Sequence, residues 1–297
     1  MWTYDELDGL RVLRDGATTG RWVVLIPGLI GDVDALDDLA SALAPDHRLL
    51  SWNPRGLYGS APAHDGDYGF NTWLADLHNL LVHFEIDDAL LVGWSAGGRV
   101  AVEASAQWPH RVAGAVSIAG TWGRPFEELL QTVVDPGSSL FALITQASAA
   151  VPKGTRLPRW AGGVARSALT RRFLKFFRVT ADTTEATRLG ELFARSLDND
   201  LSTLLATWRG VSRRGRQPLE APLQRPTLWL AGDHDVLTGV DEARAAATGN
   251  LTTFIAVPGG THFLPLDQPE LIRLRVNRFE RGLASAPADD STSPQGD

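Results

Sequence analysis

The chain has 297 residues, 44% of them hydrophobic and 21% charged, with a formal net charge of −7 and no cysteine. That is the composition of a globular protein with enough residues for a large buried core. It excludes disulfides, thiolate metal sites and a cysteine nucleophile, and the acidic balance argues against a general nucleic-acid binder.

In chain order, residues 22–26 (Trp-Val-Val-Leu-Ile) form a continuous apolar run stopped by Pro27-Gly28. Continuous rather than alternating hydrophobicity predicts a strand buried on both faces of a parallel sheet. Asp32 and Asp34 then precede Leu36, Leu39, Ala40 and Leu43 at helical spacing, with acid placed where a helix N-terminus favours it. Residues 47–52 read as a second core strand, ended by Asn53-Pro54, and residues 72–84 as a helix. Residues 89–93 and 113–118 predict a third and a fourth core strand. The alternation is that of an open parallel sheet wound with helices on both faces.

After Gly120 the alternation stops, and residues 126–212 carry only helical patterns and Gly/Pro breaks. Strand signals return at 227–231 and 252–257, followed by a helix over 269–282. Charge divides the chain in the same place. Residues 121–225 hold 16 Lys+Arg against 9 Asp+Glu, a net +7, and the remainder 12 against 26, a net −14. The expected organisation is an α/β core over 1–120 and 226–283, a helical insertion over 121–225, and a disordered polar tail over 284–297. No apolar run approaches the ~20 residues of a membrane span. The opening Met1-Trp2-Thr3-Tyr4-Asp5-Glu6 lacks the basic and apolar regions of a secretory signal, so a cytoplasmic location is expected.

Gly93-Trp94-Ser95-Ala96-Gly97 matches G-x-S-x-G, and a core strand leads into it. A segment rich in small residues (Gly97, Gly98, Ala101, Ala104) leads out. A serine on such a strand-to-helix turn is exposed at the carboxyl edge of the sheet, beside backbone N–H groups able to hold an oxyanion. A serine hydroxyl needs a base. Of seven histidines, only His262 sits in a loop just after a late core strand. The acid that would orient it is Asp235 after the preceding strand, with Asp233 two residues away as the alternative. His64-Asp65-Gly66-Asp67 lacks the partners of a metal site, and neither a P-loop nor a G-x-G-x-x-G follows the first strand, so no cofactor is expected.

These residues, in the order Ser95, Asp235, His262, resemble the α/β-hydrolase fold superfamily with a helical cap. The resemblance implies an α/β, mostly parallel, doubly wound sheet over about residues 8–283, with the insertion matching least. It implies that Ser95 is the nucleophile, Asp235 the acid and His262 the base. It also implies that the N–H groups of Leu29 and Ala96 form the oxyanion hole; Pro27-Gly28-Leu29 stands where the family often has His-Gly. The turn 55–60 is similar to a structural Arg-Gly-x-Gly-x-Ser turn of the family, with one extra residue.

Trp94, Trp122 and Phe263 are candidate pocket walls, with core packing as the alternative for the tryptophans. In the insertion, Leu169, Phe173, Phe176, Phe177 and Thr180 share one helical face and Arg171, Arg172, Lys175 and Arg178 the other. Such a helix packs on the core, lies over an acyl pocket, or touches an anionic membrane surface transiently. Residues 140–151, small and apolar, would suit a lid. The expected activity is acyl transfer from an apolar small molecule to water, through an acyl-enzyme on Ser95. Carbon–carbon bond hydrolysis and cofactor-free perhydrolysis share the same triad, and a non-catalytic small-molecule receptor could share the fold. A small-molecule partner is expected, with no nucleic acid and no stable membrane insertion.

Overall fold

The computed structural model describes residues 2–122, 149–176, 180–181 and 186–285. Eight strands form one sheet in the order β1-β2-β4-β3-β5-β6-β7-β8. They are β1 (Thr3–Leu7), β2 (Leu10–Gly16), β3 (Trp22–Ile26), β4 (Arg48–Trp52), β5 (Ala89–Trp94), β6 (Val112–Ile118), β7 (Thr227–Gly232) and β8 (Thr252–Val257). From β4 through β8 neighbouring strands pair in parallel, and β2 is antiparallel to both β1 and β4. The six parallel strands are those expected from the apolar runs.

The β1–β2 hairpin is not among the expected strands. Its turn, Asp8-Gly9, has φ of 49° and 72°, the left-handed pair that a two-residue hairpin turn requires. That dipeptide is the signal that would have located it. β1 lies at the sheet edge and is almost wholly exposed, so it has no buried face to imprint an apolar pattern.

Successive side chains of each strand enter opposite cores. Val24, Ile26 and Leu91 pack against α2 (Phe70–His83) and α3 (Ala96–Gln107) through Trp73, Leu77, Val100 and Ala104. Val23, Leu25, Leu90 and Val92 pack with α1 (Asp37–Leu43) on the other face. Between β6 and β7 the described residues hold α4 (Arg159–Ala165), α5 (Ala168–Phe176), α6 (Ala186–Leu197) and α7 (Leu201–Gly215). Leu189 and Leu192 of α6 join the second core. A buried charge cluster ties α7 to α3. Glu103 accepts from Arg99 Nη2 at 2.6 Å and from Arg214 Nη2 at 2.5 Å, and the Arg99 guanidinium lies over the Trp122 ring.

After β7 come α8 (Val240–Ala246), α9 (Leu264–Asp267) and α10 (Pro269–Ser285). Ile272 and Val276 of α10 complete the second core, and the helix runs past Ala284, where a disordered tail was expected to begin. The rest of that tail, residues 286–297, lies outside the described residues, as does most of the lid candidate over 140–151. Among the described residues no helix is long and apolar enough to cross a membrane.

Of the apolar side chains that periodicity groups on one face of the amphipathic helix, Leu169 is 78% exposed. Among the described side chains of α5, Leu174 packs against the second core, five positions on and therefore roughly 140° around the helix.

Candidate active site

The order β4-β3-β5 reverses the direction in which the sheet is built, so the loops leaving β3 and β5 diverge and open a crevice at their carboxyl ends. Ser95 lies there, between the last residue of β5 and the first of α3. Its φ of 56° and ψ of −121° are a sparsely populated combination for an L-residue, of the kind that costs about 1–3 kcal/mol. Close backbone approach on all sides maintains it. A Cβ on Gly93 would stand 2.0 Å from the Gly97 carbonyl oxygen, and one on Gly97 2.2 Å from that of Ile26. The Ser95 N–H donates to Ile118 O at 2.9 Å, which ties the turn to β6.

His262 stands in the loop between β8 and α9. Its Nε2 is 2.9 Å from Ser95 Oγ, and its Nδ1 is 3.0 Å from Asp235 Oδ2. The three side chains, separated by up to 167 residues, form one hydrogen-bonded line, nearly closed to solvent. Asp235 also accepts from the N–H groups of Leu237 and Thr238, at 2.8 and 2.9 Å, and from Thr238 Oγ1 at 2.6 Å. Burial pushes its carboxyl group up, but the positive charge available on His262 and these hydrogen bonds outweigh burial and hold it below the usual carboxylate range. An ionised carboxylate only accepts. Nδ1 therefore carries the proton, and Nε2 is left to accept from the Ser95 hydroxyl. Asp233, the alternative acid, instead accepts from the Gly259 N–H at 2.8 Å. The histidine loop is fixed by Trp94, whose indole N–H donates to His262 O at 2.7 Å, and by Thr261 Oγ1, which donates to Asp267 at 2.6 Å.

On the opposite side of Ser95 runs the loop that leaves β3. A Cβ on Gly28 would lie 3.1 Å from Ser95 Cβ, so the glycine lets this loop close on the serine. Leu29 follows, and Ala96 is the first residue of α3, where an amide N–H has no acceptor within the helix. The loop is held by residues that sequence reasoning missed. Tyr58 Oη donates to Leu29 O at 2.9 Å and accepts from the Gly31 N–H at 3.0 Å. Ser196 Oγ of α6 lies 2.9 Å from both the Gly31 nitrogen and Tyr58 Oη. Asn199 Oδ1 accepts from the Tyr58 N–H at 2.6 Å, and Arg195 pairs with Asp32 and Asp34. Burial pushes the Tyr58 phenol up to about 12. The only sequence signal was its place in the 55–60 turn; nothing in the pattern points 29 residues back or 138 ahead.

Leu29, Ile30, Trp94, Ser95, His262 and Phe263 enclose a pocket of about 10 Å³, room for one water at most. Phe263 packs edge-on to His262 and to Phe193 of α6, with ring centroids 5.7 and 6.0 Å apart. Trp94 and Phe263 therefore line the Ser95 pocket, and Trp122 does not. Trp122 belongs to the other core, stacked on Trp229 at 4.1 Å. Chain proximity to β6 suggested a pocket wall, but its indole turns to the face of the sheet opposite Trp94.

Comparisons with known proteins bear on the fold and the family. Over 108 residues the chain is 31% identical to the sn-1-specific diacylglycerol lipase ABHD11 of Xenopus laevis, a match covering 36% of this chain and 34% of that one. Over 92 residues it is 35% identical to the non-heme chloroperoxidase CPO-A1 of Kitasatospora aureofaciens, covering 31% of this chain and 33% of that one. These matches span about a third of each curated relative's length. Among solved structures, a thermophilic esterase from Thermogutta terrifontis superposes with a TM-score of 0.68 at 18% identity, covering 95% of this chain and 99% of that one. The family model of the α/β hydrolase fold matches residues 21–269. By that match, together with the parallel sheet and the turn at Ser95, the chain belongs to the α/β-hydrolase fold family.

Proposed function

We propose that this chain is a serine hydrolase that cleaves an ester-like bond (carboxylic ester, thioester or lactone) of a largely apolar small molecule through an acyl-enzyme on Ser95. The observation that carries the reading is the unbroken line Ser95 Oγ, His262 Nε2, His262 Nδ1, Asp235 Oδ2, with steps of 2.9 and 3.0 Å. Family membership and the lipase and esterase among the similar proteins support it.

In this reading Ser95 Oγ attacks the substrate carbonyl carbon while His262 Nε2 takes the hydroxyl proton. The carbonyl oxygen becomes an oxyanion facing the N–H groups of Leu29 and Ala96. Collapse breaks the bond to the leaving group, which departs with the proton from His262. Water then attacks the acyl carbon as His262 takes its proton, and the acid product leaves with Ser95 restored. Asp235 keeps the proton of the neutral ring on Nδ1 and stabilises the imidazolium that forms twice per turnover. The apolar side chains of Leu29, Ile30, Trp94 and Phe263 favour an apolar acyl group. The helices within residues 121–225 act as a cap over the crevice, which the packing of Phe193 on Phe263 supports.

The test is hydrolysis of a p-nitrophenyl ester series of increasing chain length by the wild-type chain and by Ser95→Ala. The variant is expected to fold and to lose on the order of 10⁴–10⁶-fold in kcat. Retention of most of the activity would remove the reading.

A further inference from the structure

Six large hydrophobic side chains are well exposed among the described residues, and three of them fall within ten positions on α4 and α5. Trp160 is 69%, Val164 53% and Leu169 78% exposed. Tyr4, Val82 and Leu274 are scattered singly, which is ordinary for a surface. The cluster is not the unpacked remnant of a loose helix, because α4 is docked by its other side. Ala165 is buried, and a Cβ on Gly162 would lie 3.6 Å from Ala194 of α6. Gly190 of α6 packs against the Arg166 backbone. Small residues thus face inward, and the large apolar ones face solvent.

Charge sets this segment apart as sharply. Residues 149–176 contain seven Lys or Arg and no Asp or Glu, in a chain whose net charge is −7. Among the acids packed against this segment, Glu191 of α6 pairs with Arg166 at 2.8 Å and Asp200 accepts from the Gly154 N–H. Lys153 and Arg172 are exposed. The same helices back onto the crevice: α4 rides on α6, and α6 carries Phe193 against Phe263 in the Ser95 pocket.

We infer that the outer face of α4 and α5 docks reversibly on an anionic lipid surface, with Trp160, Val164 and Leu169 entering the interface and the basic residues meeting acidic headgroups. A tryptophan with aliphatic neighbours among Lys and Arg suits the boundary between headgroups and acyl chains. The strong net negative charge of the rest of the chain turns its other faces away from such a surface and so selects the docking orientation. A second copy would set one basic face against another. A nucleic acid would use the charge but leave the apolar side chains without a role. The inference does not depend on what Ser95 does.

The test is partition of the full-length chain onto vesicles of phosphatidylcholine alone and of phosphatidylcholine with one third phosphatidylglycerol, at low and high salt. Binding is expected on the anionic vesicles only, and it weakens as salt screens the charge. Trp160→Ser with Leu169→Ser is expected to lower the partition coefficient about tenfold or more. The same double variant keeps its thermal midpoint and its hydrolysis of a soluble short-chain ester. Lys153→Gln with Arg172→Gln weakens binding and flattens its salt dependence. The inference is overturned if the wild-type chain ignores anionic vesicles, or binds neutral ones equally. It is also overturned if the apolar double variant binds like wild type, if duplex DNA competes the protein off the vesicles, or if light scattering shows a dimer that the double variant abolishes.

Discussion

On one side of Ser95, Gly93 and Gly97 press backbone against backbone where β3 and β5 end. On the other, the stretch from Leu29 to Gly31 hangs on hydroxyl groups supplied by Tyr58 and Ser196. The first support is steric and belongs to the sheet itself. The second is polar and is borrowed in part from a helix 165 residues away. The difference implies that the serine turn survives or fails with the fold, while the loop carrying Leu29 can be loosened in a protein that still folds. The polar support also ties the stretch from Leu29 to Gly31 to α6.

Substitutions on the two sides should therefore fail in different ways. The largest effect lies in the line of three side chains. Asp235→Asn keeps the size of the side chain but leaves no carboxylate to accept from Nδ1, so the ring takes the wrong tautomer. A loss of about 10⁴-fold in kcat with a nearly unchanged thermal midpoint is expected in ester hydrolysis and calorimetry. Gly97→Ala attacks the steric support. Its methyl group would stand 2.2 Å from a backbone oxygen that has nowhere to move, so a loss of about 3 kcal/mol or more in urea unfolding is expected. Tyr58→Phe attacks the polar support. It strands the Leu29 carbonyl and costs about 1–2 kcal/mol, while kcat falls about tenfold through misplacement of the Leu29 N–H, with KM little changed. A fall in stability as large as that of Gly97→Ala, with full activity per folded molecule, would erase the distinction.

The last effect vanishes at neutral pH and appears only in alkali. The Tyr58 phenol titrates at about 12 in the folded chain against 10.0 when unfolded. The folded state then holds a proton that the unfolded state has released, so stability is intact below pH 10 and is lost as pH rises towards 12. The loss approaches about 2–3 kcal/mol. Tyr58→Phe should remove that alkaline slope from denaturation measured between pH 9 and 12, and an unchanged slope would show that another group carries it.

How much could be read in advance follows the same division. The parallel strands were legible because burial on both faces leaves an uninterrupted apolar run, as in residues 22–26 and 89–93. Ser95, Asp235 and His262 were legible as a constellation because a parallel sheet brings the loops after its strands to one edge. The β1–β2 hairpin was not, since an exposed edge strand has no buried pattern and only Asp8-Gly9 betrayed it. Trp122 stayed open between pocket wall and core because a residue just beyond a strand loses the alternation that assigns a face. Tyr58, Ser196 and Asn199 stayed invisible because each makes its contact through a single polar atom to a distant part of the chain, which leaves no periodic trace.

The central proposal, that Ser95 is a nucleophile activated by His262, is tested most directly by treating the folded chain with a fluorophosphonate and locating the adduct by peptide mass spectrometry. One phosphonyl group on Ser95 is expected, formed much more slowly in Asp235→Asn and absent in Ser95→Ala. A folded wild-type chain that takes no adduct, or takes it on another side chain, would contradict the proposal.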